Sequence, residues 1–494
     1  LLSEATSRAA WPDDRLPAGT RWNTEAGDLD GVVSLVLDDD VPDLAAGSTL
    51  VTAATAVAKA LRQQLPACPL QAVTGSGDGY ANAFEEIERA RRDGRFLVDS
   101  PAPVCELVLA KPCDVCRISP AERAVEAAVQ AGEKPPDLCA DCTARVGPAG
   151  GTKGSWQRRS PRPERRLRKL LEEDLTVTAF PDDFADLAER GRADAGDAST
   201  QLGLIYADGN QVGAFLSEAA EHARRHGTPA KSDIVPALDG AVLAALADAV
   251  RACYCDPASR SVRPDLLAHL AGGDDLLISV PARSAWPFLL ELLPAFGREI
   301  SDAADWPDPV RKKLPSLSAG LVFHHASAPF ADVVRLAGER LRAAKGATAG
   351  KAPSVAFLDL TADGGSAPPS RPPLLLTKLA QDAGRLSGIA TVSRSQRETL
   401  LGLERLARQG TAAQAGPGRG ETPAQALARR VVDLGSQPIW DAVTGRAGAT
   451  GSEVRAALEN GTMGRDNLRR ELDLARWWPP AGAAAERSGQ VSAA

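Results

Sequence analysis

Two apolar stretches, Leu266–Leu270 and Leu276–Val280, flank the tetrad Gly272-Gly273-Asp274-Asp275. Runs of this length around a glycine-containing turn predict a β-hairpin. The two glycines permit a tight turn and a close backbone approach. Such a hairpin projects two neighbouring carboxylates from a rigid base. A plain polar turn has the same composition, so the upstream sequence decides. There, Leu202–Ala207 reads as a buried strand, and Asp208 stands at its C-terminal end, before Gly209 and a helix at about 211–226. In a ferredoxin-like arrangement the first strand lies beside a hairpin strand, and Asp208 would face Asp274. Carboxylates that converge in this way hold Mg²⁺ or Mn²⁺ through a few oxygens and leave positions for water and phosphates. Two such ions can activate a hydroxyl and stabilise a leaving pyrophosphate.

The elements around the tetrad extend this unit. Helices are expected at 239–252, 284–296 and 330–345, and strands at 318–324 and 354–360. A similar order occurs earlier. Gly31–Leu37 reads as a strand, Gly47–Leu65 as a helix, Leu70–Phe84 as strand-turn-strand and 84–92 as a helix. The pattern therefore predicts an α+β chain with two ferredoxin-like domains. The expected organisation is an N-terminal extension (1–27), a first, degenerate ferredoxin-like domain (28–104), a cysteine module (105–150) and a basic linker and helix (151–199). A second ferredoxin-like domain with the tetrad (200–365), a helical C-terminal domain (366–480) and a disordered tail (481–494) follow.

Eight cysteines in 494 residues are too few for a disulfide scaffold. Four of them form two pairs, Cys113-x-x-Cys116 and Cys139-x-x-Cys142, with 22 residues between. Each turn aims two thiolates at one ion, and the two together complete a tetrahedral, structural zinc site. A short helix at Ala121–Ala131 would fit between them. Cys105 is not needed as a ligand, and Cys253 and Cys255 read as buried apolar residues. Unbridged thiols favour a reducing compartment, the cytoplasm.

Charge and absences narrow the function. Lys and Arg number 57 against 64 Asp and Glu, for a net charge of −7, which argues against a wholly basic nucleic-acid binder. One local strip is basic: Lys153, Arg158, Arg159, Arg162, Arg165, Arg166, Arg168 and Lys169. It reads either as a solvated linker and helix face or as a contact for RNA. No apolar run reaches the roughly 18 residues of a membrane helix. There is no GxxxxGK[ST] phosphate loop and no GxSxG elbow. The first histidine is His222, so no N-terminal His-Asp metal nuclease is expected. His324-His325 reads as structural. Lys345, near a helix end, reads at first as a solvated charge favoured by the helix dipole.

Six stretches in order carry a resemblance: GDLDGVVSLVL (27–37), CDVC with Pro120 (113–120), LCADC (138–142), LIYADGNQVGAFL (204–216), HLAGGDDLLISVPA (269–282) and SAGLVFHHASAPF…LAGERLRAAKG (318–346). Together they resemble the large, palm-containing subunit of type III CRISPR effector complexes, in a form without the nuclease domain that many members carry. The resemblance implies that Asp208 and Asp274 bind the metals, with Asp275 beside them. It implies that Gly272 and Gly273 shape the loop against ATP and that Lys345 meets an ATP phosphate. The implied reaction is attack of a ribose hydroxyl on the α-phosphate of a second ATP, repeated and closed into cyclic oligoadenylate. The implied partners are guide RNA, target RNA and the other effector subunits. Asp78, in TGSGDG (74–79), would be at most a remnant carboxylate of the first palm.

Other readings compete. A diguanylate cyclase shares the palm but carries GGDEF or GGEEF, whereas here Leu276-Leu277 follow Asp274-Asp275 and no Glu-Phe pair is present. A standalone palm cyclase and a catalytically silent scaffold are further alternatives.

Overall fold

The computed structural model describes residues 16–23, 33–38, 40–64, 71–77, 80–97, 111–114, 120–121, 123–124, 137–139, 142, 162–192, 200–227, 231–363, 371–409 and 421–480. The chain divides into two compact units, one of residues 1–165 with 223–236 and one of 166–222 with 237–494.

In the first unit, strand β1 (Thr20–Trp22) pairs antiparallel with β2 (Leu35–Leu37). Helix α1 (Asp43–Gln64) packs Val57 and Leu61 against Trp22. Helix α2 (Tyr80–Arg92) follows. The strand-turn-strand expected at Leu70–Phe84 is not formed. Residues 71–77 instead lie along α2, which begins at Tyr80. The glycines that suggested a hairpin turn serve a close approach. A Cβ on Gly75 would sit 2.1 Å from the Ala83 carbonyl oxygen, and the Ser76 hydroxyl donates to Glu86 at 3.1 Å. Asp78 lies outside the described residues.

The cysteine module carries a two-stranded ribbon, β3 (Arg123–Ala124) with β4 (Asp137–Leu138). In the range Ala121–Ala131, where a helix is expected, Arg123 and Ala124 belong to this ribbon, and residues 122 and 125–131 lie outside the described residues. Local hydrogen bonds favour the ribbon: the Asp114 amide donates to the Asp137 carbonyl at 2.9 Å, and the Asp137 amide to the Asp114 carboxylate at 2.8 Å.

The second unit opens on helix α3 (Arg162–Leu171), which enters it at Arg166, then strand β5 (Thr176–Val177) and helix α4 (Phe184–Arg190). Strand β6 (Gln201–Asn210) leads into α5 (Val212–His226) and α6 (Lys231–Tyr254). Strands β7 (Cys255–Asp256) and β8 (Ser261–Val262) join β5 in a small sheet. The tetrad hairpin is β9 (Leu267–Gly272) and β10 (Asp275–Pro281). Helix α7 (Ala285–Asp302), helix α8 (Asp308–Arg311), strand β11 (Ser316–His325), helix α9 (Phe330–Thr348) and strand β12 (Ser354–Asp359) follow. Helix α10 (Leu360–Asp363) and strand β13 (Leu374–Leu375) end the palm.

The main sheet has the order β13-β12-β11-β6-β10-β9. Four successive strands, β11-β6-β10-β9, are antiparallel neighbours. In chain order that is 4-1-3-2, the arrangement of a split βαβ fold. Strand β6 is thus the central strand between the hairpin and β11. Both faces are covered, so β6 and β11 are buried along most of their length. On one face, Leu204, Val322 and Leu358 meet Val333 and Ala337 of α9. On the other, Trp286 of α7 packs against Phe323 and Phe357.

Six helices complete the unit: α11 (Leu376–Ala390), α12 (Arg394–Gln409), α13 (Pro423–Leu434), α14 (Gln437–Thr444), α15 (Gly451–Asn460) and α16 (Thr462–Ala475). Buried Glu404 is neutralised by Arg408 and Arg469, and buried Glu471 by Arg385 and Arg470. Just after α16, Trp477 stacks on Phe323 and Trp478 on Trp286. The Trp477 indole also donates to Asp359 at 2.8 Å. These two rings tie the helical region to the sheet. Among the described residues, no helix is long and apolar enough to cross a membrane.

Trp477 is 4% exposed. Trp477→Ala is expected to cost about 3–5 kcal/mol, the range for emptying a large buried aromatic site. Urea denaturation followed by tryptophan fluorescence measures it; a change below about 1 kcal/mol would contradict the anchoring role.

Candidate active site

Asp208 and the tetrad meet because β10 pairs with β6. Leu276 lies opposite Ala207, so the turn preceding Leu276 reaches the end of β6 beside Asp208 and Gly209. The two turn residues are Gly273 and Asp274, with Gly272 and Asp275 paired across them. Gly273 has φ +62°. A left-handed first residue is what a two-residue type II′ hairpin demands, and glycine adopts it without steric cost.

Gly209 makes the convergence possible. A Cβ there would lie 2.9 Å from both Cβ and Oδ2 of Asp274. Only a residue without a side chain lets Asp274 lean over β6 towards Asp208. Side-chain parity places Asp208 with Leu204 and Tyr206 on the face covered by α9. That helix brings Lys345, whose Nζ donates to Asp208 Oδ2 at 2.5 Å and to the Gly209 carbonyl oxygen at 2.7 Å. The lysine is therefore held in the site rather than left as a solvated charge at a helix end. Tyr206 hydrogen-bonds to Asp275.

The electrostatics follow from crowding three carboxylates. Burial pushes the Asp274 carboxyl up first. Its hydrogen bond to Asp208 and the charges of Asp208 and Asp275 then raise it to about 7. Asp275 is also raised, by burial and then by the Asp208 charge, while Lys345 and Tyr206 pull it back. The Tyr206 hydroxyl is raised by burial and by the neighbouring acids. Carboxylates forced together with one ammonium among them form a donor set that suits a hard divalent cation. Asp208 and Asp274 could hold such an ion, with Asp275 beside them. A Cβ on Gly273 would meet nothing within 4 Å, so the turn is open on that side.

The cysteine site is partly described. Cys113, Cys139 and Cys142 are buried, and their sulfur atoms lie within 4.8 Å of one another. Three converging thiols fit a zinc ion. Cys116, the fourth expected ligand, lies outside the described residues. Cys253 and Cys255 are half-buried rather than fully buried and stand apart from this group.

Other candidates have structural roles. His325 bonds Thr200 and Ser327, and His324 is buried against Phe184. In the basic strip, Lys153, Arg158 and Arg159 lie outside the described residues. Arg168 lies over the Phe180 ring and pairs with Glu172, and Arg166 pairs with Asp239. Sequence reasoning missed Asp239, which accepts a hydrogen bond from the Gly273 amide at 3.2 Å. Nothing in its local sequence marks it, because its partners come from distant segments.

Residues 201–352 match the family model described as Cas10/Cmr2, second palm domain. That span contains Asp208, the whole tetrad and Lys345. No curated protein matches the chain. Similar solved structures include a Csm1-Csm4 cassette in complex with cA4, at 17% identity and a TM-score of 0.35 over 59% of this chain and 38% of that one. Another is Csm1 from T. onnurineus, at 16% identity and a TM-score of 0.35 over 60% of this chain and 40% of that one. The chain thus spans 38% and 40% of the length of these two relatives.

The raised Asp274 carboxyl sets a pH signature. Its folded value, about 7, lies above the usual 3.8, so the folded state binds the proton more tightly. The stability linked to this group is present in full below about pH 4 and is lost as pH rises through about 7. Asp274→Asn is therefore expected to raise the Tm of the metal-free protein more at pH 8 than at pH 5. Equal shifts at both pH values, read by calorimetry in chelator, would contradict the crowding.

Proposed function

Residues 201–352 are a second palm domain of the Cas10/Cmr2 family, and from that premise we propose that the chain is the large subunit of a type III CRISPR effector complex and that its palm converts ATP into cyclic oligoadenylate. The observation that carries this reading is the convergence of Asp208 and Asp274 across β6 and β10, with Lys345 held between the site and α9.

A pair of Mg²⁺ or Mn²⁺ ions bound there would activate the attacking ribose hydroxyl and neutralise the leaving pyrophosphate. The protein's own groups supply position and charge. Asp208 brings carboxylate oxygens from the end of β6 and Asp274 from the turn before β10, and the pairing of β10 with β6 brings the two together. Tyr206 holds Asp275 in orientation through its hydroxyl. The turn at Gly272-Gly273 offers backbone without side chains to the nucleotide. Lys345 can exchange Asp208 for a phosphate oxygen when the substrate's negative charge enters, which keeps one ammonium in the site throughout. The low polarity behind the strands, where Leu204, Ile205 and Leu276 are fully buried, strengthens each of these interactions.

Guide RNA, target RNA and sister subunits are the proposed partners, with target pairing as the proposed trigger. The cysteine module is read as a structural zinc site. Asp275 and Leu276 stand where a GGDEF motif would place its Glu-Phe pair, which favours this reading over a diguanylate cyclase.

The test is incubation of the purified protein with ATP and Mg²⁺ or Mn²⁺, with and without guide and target RNA, followed by chromatography of the nucleotides. Adenylate rings are expected. Asp274→Ala should lower their formation by about 100-fold or more, the scale for losing one group that stabilises transition-state charge. Product at the parent rate from an Asp208→Ala, Asp274→Ala double variant would overturn the assignment.

A further inference from the structure

The turn that carries Asp274 is held from outside its own hairpin. The Gly273 amide donates to Asp239 Oδ1 at 3.2 Å. Asp239 belongs to α6, 34 residues earlier in the chain. Its carboxylate also accepts from both terminal nitrogens of Arg166 on α3: Nη1 reaches Oδ1 at 3.2 Å, and Nη2 bonds Oδ2 more closely. This is a two-pronged guanidinium–carboxylate contact, the geometry that fixes both partners most firmly. Both side chains are 28% exposed, so neither moves freely in solvent.

We propose that Asp239 and Arg166 are a positioning pair that locks the Gly273–Asp274 turn with Asp274 facing Asp208, and so sets the affinity of the carboxylate site for a divalent cation. The inference rests on reading Asp208 and Asp274 as that cation site. Three features support it. Gly273 is the most pliable residue of the hairpin, with a left-handed φ and no side chain to pack. Its amide bond to Asp239 removes that freedom at the residue directly before Asp274. A fourth carboxylate so near three others would add repulsion or draw the cation away. The Arg166 charge cancels it, leaving Asp239 as an acceptor for the backbone. The contact comes from distant elements, so the turn is tied to the helical layer and not merely to its own strands. Supporting groups of this kind hold ligands in place, and their loss typically weakens metal binding by about 10–100-fold.

The experiment is titration of the full chain with Mn²⁺, read by the loss of the free-ion electron paramagnetic resonance signal, alongside a melting curve for each variant. Asp239→Ala is expected to weaken Mn²⁺ binding by about 10-fold or more while the protein still melts cooperatively. Asp239→Asn keeps an oxygen for the Gly273 amide but loses the ion pair, and should fall between. Arg166→Ala should weaken binding, and Arg166→Lys should restore part of it. A purely structural ion pair would lower the Tm and leave Mn²⁺ affinity unchanged. Parent-like affinity in Asp239→Ala, with binding lost in Asp274→Asn, overturns the positioning role alone. Parent-like affinity in both variants overturns the cation-site reading and the positioning role with it. Should Asp239→Ala not fold, Asp239→Asn and Arg166→Ala decide: parent-like affinity in both overturns the proposal.

Discussion

The candidate site depends on a close approach between Asp274 and the backbone of β6 at Gly209. Asp208 at the end of β6 and Asp274 in the turn before β10 are acids that repel each other. The register of β10 on β6 and the missing side chain of Gly209 force the meeting. The consequence is a carboxyl raised to about 7 and an ammonium, Lys345, drawn in from the opposite layer. Such an arrangement costs stability without a cation. It persists because the sheet around it is buried on both faces.

The rest of the second unit keeps that sheet rigid. Helix α9 covers one face and delivers Lys345. Helix α7 covers the other through Trp286, and the tryptophans after α16 seal the same side. The helical C-terminal region is thus part of the palm's core packing, joined to it through aromatic rings and Asp359. Helices α3 and α6 reach the tetrad turn through Arg166 and Asp239. The carboxylates sit at the ends of strands, but their geometry is set by three layers of structure.

Much of this was legible in the residues. The tetrad between two apolar runs, the strand ending in Asp208 and the order of helices and strands reflect local periodicity, and the second palm follows them closely. The family named from the six stretches is the one whose second palm matches residues 201–352. Lys345 read from spacing alone as a solvated charge, because its partner lies 137 residues away. Arg166 read as one member of a basic strip for the same reason: its acid, Asp239, is 73 residues distant. Trp477 and Trp478 marked only where helix gave way to tail, although their rings fill the core. At residues 71–77 the glycines misled in the opposite direction. Glycine marks both turns and close packing, and only the position of α2 separates the two.

The central claim is that Asp208 and Asp274 form one cation site in a nucleotide-using palm. The most direct measurement is a crystal structure of the protein soaked with Mn²⁺ and a non-hydrolysable ATP analogue, using the anomalous signal of the metal. The account predicts a peak about 2.1 Å from oxygens of both carboxylates, with Lys345 moved from Asp208 to a phosphate. A peak elsewhere, or Lys345 still on Asp208 with nucleotide bound away from Gly273, would contradict it.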